Sequence, residues 1–591
     1  MKNLFEILQG VEKPARYIGG EYGEGEIKWS KFNYCICFPD VYEVAMSNLG
    51  IKIVAESLKT VDGVFVDRCF SPWEDFGEIL KKEKVELFSL GARKPLKEFD
   101  MLGFSLQYEL SYTEVLRFLD LSNIPFLAKD RGEEYPIIQG GGPCAFNPEP
   151  IADFFDLFVI GDGEPVMPLL AKLKLESSSK LEFLEKASKI KGVYVPAFMQ
   201  VKYGDNGVIE GFSGITKVEK AVCDNLDTAV FPSCFLVSNI EAVFDRAIVE
   251  VMRGCPRGCR FCQAGFLYRP IRKRSVKTLT EQAVSLIENT GYEELSINSL
   301  STGDYPHLIE FLQEVKTKLP QTRVQLPSLR LDSFDQEFIA QSRKSSLTFA
   351  PEAGTQRLRD VINKDITDDE ITRSIESAFN GGMNSIKLYF MMGLPTETDA
   401  DLEGIVNVVY AIKKLYEEKS KKRAKGLRIS VSCSTFIPKP FTPFQWERQI
   451  DRQEFEHKVN LLKEKLFIRG VTFSWNDFEL SQLETLLARG DRRLSKVILS
   501  AYKKGCHLDA WSEFFKPELW LEALNENGLT FEDYTKELGE NQILAWDFID
   551  NLVEKNYLIK EREKSKNAQV TGSCFNGCKG CGIQKSYRCG K

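Results

Sequence analysis

The chain has 591 residues, of which 43% are hydrophobic and 28% are charged. At roughly 100–200 residues per domain this length predicts about three to five compact units, and the composition is too apolar for a disordered chain. The formal net charge of −7 excludes a general attraction to nucleic acid or to an anionic membrane. The sequence has no apolar run of the roughly 18 residues that a membrane span needs and no apolar signal segment at its start. We therefore expect a cytoplasmic protein with no membrane partner.

The first 168 residues alternate short apolar runs with amphipathic, helix-like segments. This pattern predicts an α/β fold with a doubly wound, Rossmann-like parallel sheet. The five strand-like runs are residues 32–38, 64–70, 99–106, 135–140 and 156–161. Each run ends in a small or polar turn, and such turns gather at the carboxyl edge of an open parallel sheet, where ligands bind. Residues 169–246 follow as a connector, in which alternation around a DNG turn predicts a small hairpin.

Residues 247–450 alternate again and predict a partial (β/α)6 barrel of the TIM type, with its site at the carboxyl ends of the strands. The six strand-like runs are residues 247–254, 294–300, 323–329, 346–352, 385–393 and 428–437. The expected helices are residues 278–290, 305–318, 333–343, 368–380 and 399–418. Residues 451–570 are expected to be mainly helical, and residues 571–591 form a Cys-rich tail that cannot build a core without a metal.

Seven of the 15 cysteines fall in two tight groups. The groups are Cys255, Cys259 and Cys262, and then Cys574, Cys578 and Cys581 with Cys589. Without an export signal, such spacing predicts metal or cluster ligands rather than disulfides. The chain has only three histidines, so thiolate ligation is favoured over mixed Cys/His sites.

The segment RGCPRGCRFCQAG (253–265) directly follows the first barrel strand. Its three cysteines can bind three irons of a [4Fe–4S] cluster and leave the fourth iron open, whereas zinc would need a fourth ligand nearby. With Phe261 before the last cysteine, the segment closely resembles the radical S-adenosylmethionine (SAM) superfamily. The resemblance implies that the open iron binds SAM. One electron, from a reductant such as flavodoxin or ferredoxin, then cleaves SAM to methionine and a 5′-deoxyadenosyl radical.

Later strand ends supply candidate SAM contacts. The turn SLSTGDY follows the second strand, where members of the superfamily carry a Gly/Glu-rich turn, although this turn departs from Gly-Gly-Glu. The candidates are Ser301, Thr302, Gly303 and Asp304 in this turn, Glu352 at the end of the fourth strand, and Lys387 on the fifth. For Glu352 and Lys387 a surface or barrel-core role stays open.

The turns of the N-terminal domain resemble those of the cobalamin-binding domain that precedes many radical SAM barrels. The stretches GFSLQYE (103–109), QGGGPCAF (139–146) and VIGDGEP (159–165) match its Ser-x-Leu, glycine and Gly-x-Gly-Glu turns. The resemblance implies a pocket lined by Ser105, Leu106, Gly140, Gly141, Gly142, Gly161, Gly163 and Glu164. Ser47 stands where cobalt-ligating domains carry histidine, so no imidazole is expected on cobalt. The alternative is a degenerate domain kept as a scaffold.

The tail repeats the three-cysteine spacing and adds Cys589. Four thiolates suit either zinc or a fully ligated second Fe–S cluster, and both alternatives stay open. Residues 551–591 contain nine Lys or Arg and three Asp or Glu. This basic tail suits an RNA contact or a merely solvated segment.

The order of domains resembles, over nearly the whole chain, a family of cobalamin-binding radical SAM proteins. We therefore expect an enzyme that transfers a methyl group from cobalamin to an unactivated carbon of an unknown substrate. One alternative is methylthiotransferase-like sulfur insertion that uses a tail cluster. The other is an RNA- or ribosome-associated metal-binding protein.

Overall fold

The computed structural model describes residues 4–326, 346–420 and 426–587. Its N-terminal part contains a sheet of six strands. They are β1 (Phe32–Phe38), β2 (Val64–Phe70), β3 (Met101–Ser105), β4 (Ile137–Gly141), β5 (Leu157–Val159) and β6 (Val193–Tyr194). The strand order is β2-β1-β3-β4-β5-β6, and only the pair β5–β6 is antiparallel. The first five strands have the flavodoxin-like order, so the predicted doubly wound parallel sheet is confirmed.

The central strand β1 explains why this sheet was readable from sequence. All seven of its residues are buried, because helices cover both faces of the sheet and an apolar side chain suits every position. The helices of this part are Leu4–Leu8, Tyr42–Met46, Leu49–Lys59, Glu74–Glu83, Tyr112–Leu121, Met167–Glu176 and Lys180–Ala187. Cys35 and Cys37 pack into one core, whereas Tyr34 and Ile36 pack into the core on the opposite face.

The connector contains an antiparallel hairpin of β7 (Met199–Tyr203) and β8 (Ile209–Gly214), followed by the short strand β9 (Val218–Glu219). The next sheet has three parallel strands in the order β10 (Ala247–Glu250), β13 (Glu294–Asn298) and β14 (Arg323–Gln325). Between β10 and β13, the two-residue strands β11 (Met252–Arg253) and β12 (Arg272–Lys273) pair antiparallel and enclose the first cysteine group. The predicted strand 247–254 is therefore interrupted after Glu250, where the chain turns into this ribbon.

A second parallel sheet contains β15 (Ser346–Glu352), β16 (Ser385–Met392), β17 (Arg428–Thr435) and β18 (Val471–Trp475) in that order. The helices around the two sheets are Ala264–Leu267, Val276–Thr290, Leu308–Lys318, Gln356–Val361, Asp368–Asn380 and Asp399–Ser420. All six predicted strands are present, and the described residues arrange them as two parallel sheets. The predicted helix 333–343 and the end of the predicted strand 323–329 lie outside the described residues.

Residues 451–570 are mainly helical as predicted, and the strand β18 is an addition that was not predicted from the sequence. The segment VTFSW combines β-branched and aromatic residues in a strand pattern, and β18 pairs with β17 through five residues. It is short and lies between the long helices Arg452–Lys465 and Phe478–Arg489, whose periodicity dominates the region. The remaining elements are the helices Leu494–Lys504, Pro517–Glu526, Glu532–Thr535 and Lys555–Lys566 and the strand β19 (Ile549–Asp550).

The C-terminal helices return to the N-terminal part of the chain. The Thr113 hydroxyl donates to the Asp509 carboxylate at 2.6 Å, and the buried Asn147 amide donates to the carbonyl of Ala488 at 2.9 Å. The N-terminal sheet is thus bonded to the last third of the chain. None of the helices within the described ranges is long and apolar enough to span a bilayer.

Candidate active site

The first cysteine group lies in the loop between β11 and β12. Cys255, Cys259 and Cys262 are half-buried free thiols. Burial, reinforced by the charge of Cys259, raises the pKa of Cys255 to about 12 and that of Cys262 to about 11. The three cysteines lie within eight residues of one loop. Three thiolates from one loop fit a [4Fe–4S] cluster with one open iron.

A buried arginine fixes this loop from behind. The Arg260 side chain is fully buried and donates to the carbonyls of Asp360 at 3.0 Å and Val361 at 2.8 Å. Its guanidinium also pairs with Glu561 at 3.1 Å. Because a buried cation is tolerated only with such partners, Arg260 binds the cysteine loop firmly to the helix Gln356–Val361.

A second arginine brings the candidate SAM turn to the cysteine loop. Arg257 donates through Nε and Nη2 to both carboxylate oxygens of Asp304, at 3.0 and 2.7 Å, and through Nη1 to Asp365 at 2.8 Å. Ser301 donates to Asp304 at 2.6 Å, and Thr302 is fully buried. The structure thus places the turn that contains Gly303 beside the cysteines. Arg257 was not predicted from the sequence, in which its position within the C-x3-C spacing is its only indication.

The other two candidate SAM contacts differ in position. Glu352 ends β15 in a left-handed conformation (φ 67°), and Lys364 donates to its carboxylate at 3.0 Å. Lys364 also lies 6.0 Å from the centre of the Phe261 ring, so Glu352 belongs to the surroundings of the cysteine loop. Backbone strain in a residue other than glycine is typical of functional sites. Lys387, in contrast, is exposed near the amino end of β16, away from the strand end where we expected it.

A cavity of about 360 Å³ lies between the N-terminal sheet and the three-stranded sheet. Its volume falls within the range of roughly 300–1,000 Å³ for ligand pockets. From the N-terminal part it is lined by the turns after β3, β4 and β5, and from the barrel part by Arg253, Gly254 and the end of β13. The carboxyl edges of both sheets therefore face the same space.

Most of the predicted cobalamin-pocket residues line this cavity. They are Ser105, Gly141, Gly142, Gly161, Gly163 and Glu164. Leu106 and Gly140 are not among the lining residues: Leu106 is fully buried in the core. Ser47 is also placed elsewhere, because its hydroxyl donates to the Glu43 carbonyl at 2.8 Å and accepts from the Phe244 amide at 2.9 Å. The neighbouring Asn48 lines the cavity instead.

The glycines of these turns serve different purposes. Gly161 has φ +104°, and an added Cβ would collide with the backbone of Ala221, so the fold itself requires glycine there. At Gly141 an added Cβ would meet no protein atom closer than 3.8 Å, although the residue lines the cavity. Packing does not explain this second glycine, and its missing side chain leaves room for a ligand. The cavity thus fits the expectation of a cofactor that approaches the glycine turn closely.

One further arginine, which the sequence analysis did not single out, joins the two parts of the chain. Arg253 pairs with Asp162 at 3.0 Å, Glu164 at 2.7 Å and Glu250 at 2.9 Å. Its side chain is only 11% exposed. Because Arg253 stands two residues before Cys255, the Gly-x-Gly-Glu turn is tied directly to the start of the cysteine loop.

The tail cysteines form a second group beside the first. Cys574 is half-buried, Cys581 is buried and Cys578 is exposed, whereas Cys589 lies outside the described residues. Within the described ranges, no three His, Cys, Asp or Glu side chains surround a single-ion position. The choice between zinc and a cluster for the tail therefore stays a prediction at this point.

Two protein-family models match the chain: the N-terminal domain of radical SAM proteins over residues 50–196, and the radical SAM superfamily over residues 249–409. The chain belongs to the radical SAM superfamily. Within that superfamily, it carries the N-terminal domain directly ahead of the radical SAM domain.

Relatives of known sequence or structure span long parts of the chain. An uncharacterized protein of Methanocaldococcus jannaschii is 28% identical over 81% of this chain and 95% of its own length. The anaerobic magnesium-protoporphyrin IX monomethyl ester cyclase of Cereibacter sphaeroides is 25% identical over 67% of this chain and 64% of the cyclase. The solved structure of the radical SAM methyltransferase TsrM from Kitasatospora setae, with cobalamin and a [4Fe–4S] cluster bound, covers 68% of this chain and 72% of TsrM. Its sequence identity is 12% and its TM-score 0.44.

Proposed function

We propose that this radical SAM enzyme also binds cobalamin and transfers a methyl group to an unactivated carbon of a substrate that is still to be identified. One observation carries the proposal: a single cavity is lined both by the glycine turns of the N-terminal sheet and by Arg253 and Gly254, which lead into the cysteine loop. A substrate in that space would be next to both cofactor sites.

The residues of the chain have separate tasks in this proposal. When bound, the [4Fe–4S] cluster, SAM and cobalamin supply the radical and the methyl group. Cys255, Cys259 and Cys262 would hold the cluster, while Arg257 holds the Asp304 turn beside the cysteine loop. Ser105 and Gly141 would contact cobalamin at the carboxyl edge of the sheet. The walls of the cavity would keep the reacting groups close together.

The histidines support cobalamin binding without a protein imidazole on cobalt. All three lie in the described part of the chain, and each pairs with a carboxylate: His307 with Glu310, His457 with Asp399, and His507 with Glu74. None of the three lines the cavity. We therefore expect paramagnetic resonance of Co(II) cobalamin in the protein to show no nitrogen coupling from an axial ligand. Such a coupling would contradict the proposal for this site.

The reaction itself is tested with reduced, anaerobically reconstituted protein. With its true substrate, methyl transfer should yield 5′-deoxyadenosine and S-adenosylhomocysteine in equal amounts, and labelled methyl from SAM should appear in the product. The substrate can be sought by mass spectrometry of metabolites, RNA and protein from a deletion strain, as a species that lacks one methyl group. A substrate converted without S-adenosylhomocysteine and without added carbon would rule out methyl transfer.

Sulfur insertion remains the alternative within the same superfamily. It would use a tail cluster as the sulfur donor and would not need cobalamin. A product heavier by one methylthio group, formed by protein free of cobalamin, would replace the proposed reaction by this one.

A further inference from the structure

The tail cysteine group, defined as Cys574, Cys578 and Cys581, lies against the loop that carries the radical SAM cysteines. The Cys574 amide donates to the Pro256 carbonyl at 2.8 Å. Pro256 directly follows Cys255 in the chain. From the dimensions of the peptide unit, the Cα atoms of Cys574 and Cys255 are therefore within about 10 Å of each other.

Buried side chains hold this contact from two sides. The Asn363 amide donates to the carbonyls of Gly258 at 3.0 Å and Thr571 at 2.9 Å, and its oxygen accepts from the Thr571 amide at 2.7 Å. Arg260 donates to the Gln569 carbonyl at 2.6 Å. Asn363 and Arg260 are almost completely buried. The approach of the tail to the cysteine loop is thus built into the fold rather than a contact between loose surfaces.

The tail cysteine group also lines a small cavity of about 40 Å³, together with Arg269 and Pro270. Arg269 is 3% exposed, and within the described residues its Nη1 has no hydrogen-bond partner. A buried guanidinium N–H without a well-aligned partner is costly, so an acceptor in this cavity would stabilise it. An iron–sulfur cluster bound by thiolates carries negative charge and would supply such an acceptor.

The two metals that suit the tail thiolates differ in what they could do beside the first cysteine group. Zinc does not change its oxidation state in proteins, whereas an iron–sulfur cluster can take up and release one electron. A cluster at the tail cysteine group would therefore lie on a path for electrons to the first cysteine group.

The tail cysteine group has a solvent side as well as a buried side. Cys581 is 7% exposed, whereas Cys578 is exposed to solvent. Lys579 lines the tail cavity, and the Lys273 ammonium lies 5.8 Å from the centre of the Phe575 ring. Lys273 and Lys579 give the solvent side of the tail cysteine group a local positive charge, which would attract a protein with an acidic docking face.

We propose that the tail cysteine group holds an iron–sulfur cluster that receives electrons from an acidic one-electron carrier protein and passes them to the cluster at Cys255, Cys259 and Cys262. Each event moves one electron: the carrier is oxidised, the tail cluster is reduced and reoxidised, and the electron finally cleaves SAM to methionine and the 5′-deoxyadenosyl radical. The rate of electron tunnelling falls steeply with distance, and the contact between Cys574 and Pro256 keeps the path between the two clusters short. The inference rests on radical SAM activity but not on methyl transfer.

The metal of the tail is identified first. In the variant C255A/C259A/C262A, we expect about four irons per chain and the paramagnetic resonance of a reduced [4Fe–4S] cluster. One zinc per chain in this variant, or no metal, would overturn the proposal. In the unmodified protein, the resonances of the two reduced clusters should broaden each other through spin coupling, and two independent signals would contradict the short path.

Electron entry is tested by comparing two reductants. SAM cleavage is measured with reduced flavodoxin and with titanium(III) citrate, a small reductant that needs no docking site. The variant C574A/C578A/C581A should lose flavodoxin-driven cleavage and keep titanium-driven cleavage. The control C223A/C234A removes two free thiols outside both groups and should keep both activities. Undiminished flavodoxin-driven cleavage in the tail variant would refute the relay.

A charge variant tests docking while it leaves all tail thiols in place. We expect K273E/K579E to raise the flavodoxin concentration at half-maximal rate and to weaken the salt dependence of that rate. The control K202E/K277E changes two exposed lysines elsewhere and should behave like the unmodified protein. If titanium-driven cleavage fails in the unmodified protein, the radical SAM function itself is in question. If the unmodified protein cleaves SAM but the tail variant C574A/C578A/C581A responds equally to both reductants, the relay alone is wrong.

Discussion

Replacement of Arg253 by methionine removes a cation from a buried set of three carboxylates. Asp162, Glu164 and Glu250 each lie within 3.0 Å of the Arg253 guanidinium, and their side chains are 8%, 8% and 15% exposed. Removing one partner of a buried ion pair costs about 3–5 kcal/mol, because the remaining charge stays desolvated. Arg272 still pairs with Asp162 and Arg274 with Glu250, so we expect a loss near the lower end, about 3 kcal/mol.

The loss should depend on pH with a definite sign. Burial alone would raise the pKa of Asp162 and of Glu250, but Arg253 acts together with Arg272 on Asp162 and with Arg274 on Glu250, and the combined effect holds both pKa values below their usual range. In the unmodified protein this stabilisation is present above the unfolded pKa of these carboxyls and is lost as the pH falls through the folded pKa. In the variant, burial raises the folded pKa, so protonation on acidification relieves the unpaired charge. The deficit should be larger near pH 8 than near pH 5.

Thermal unfolding followed by circular dichroism at both pH values measures this effect. For a cooperative unit of about 150–250 residues, about 3 kcal/mol corresponds to a fall in Tm of roughly 6–12 °C. The control Arg323→Met removes an arginine that is 65% exposed and should cost less than about 1 kcal/mol. An equal Tm change for both variants, or a deficit that grows on acidification, would refute the reasoning.

Three further changes address the site. Arg257→Lys keeps the charge but loses the bidentate hydrogen bond to Asp304. The rate of titanium-driven SAM cleavage should therefore fall about tenfold while the iron content stays the same, and an unchanged rate would contradict the role of Arg257. Gly161→Ala forces a side chain against the Ala221 backbone, so the free energy of unfolding measured with denaturant should fall by about 2 kcal/mol or more. The control Gly211→Ala should not show this loss, because the added Cβ meets nothing within 4 Å. Gly141→Val should weaken cobalamin binding in absorbance titrations at unchanged Tm, and full binding would remove Gly141 from the pocket.

The strands were predictable because a strand that is buried on both faces of its sheet needs apolar residues at successive positions, and these form a continuous apolar run in the sequence. β1 and β2 begin and end at the predicted residues. β18 escaped notice because a five-residue strand between two long helices contributes little to the pattern. Its place is set by pairing with β17, which is tertiary information.

The candidate site was predictable in its turns and much less in its ion pairs. Spacing alone indicated the cysteine loop, and the strand ends indicated Asp304 and Gly141. Arg253 and Arg257 are arginines in a charged chain, and only the fold shows which carboxylates they meet. Ser47 was predicted to be at the cobalamin site, but its neighbour Asn48 lines the cavity instead. Alignment to a motif cannot tell which of two adjacent side chains faces the cavity.

The most direct test of the account uses protein reconstituted anaerobically with iron, sulfide and cobalamin, then reduced and supplied with SAM. We predict that it forms 5′-deoxyadenosine, and that S-adenosylhomocysteine also forms, but only when cobalamin is present. The variant C255A/C259A/C262A should form no 5′-deoxyadenosine. Formation of 5′-deoxyadenosine by this variant, or S-adenosylhomocysteine formed equally without cobalamin, would contradict the assignment of a radical SAM site and a cobalamin site to this chain.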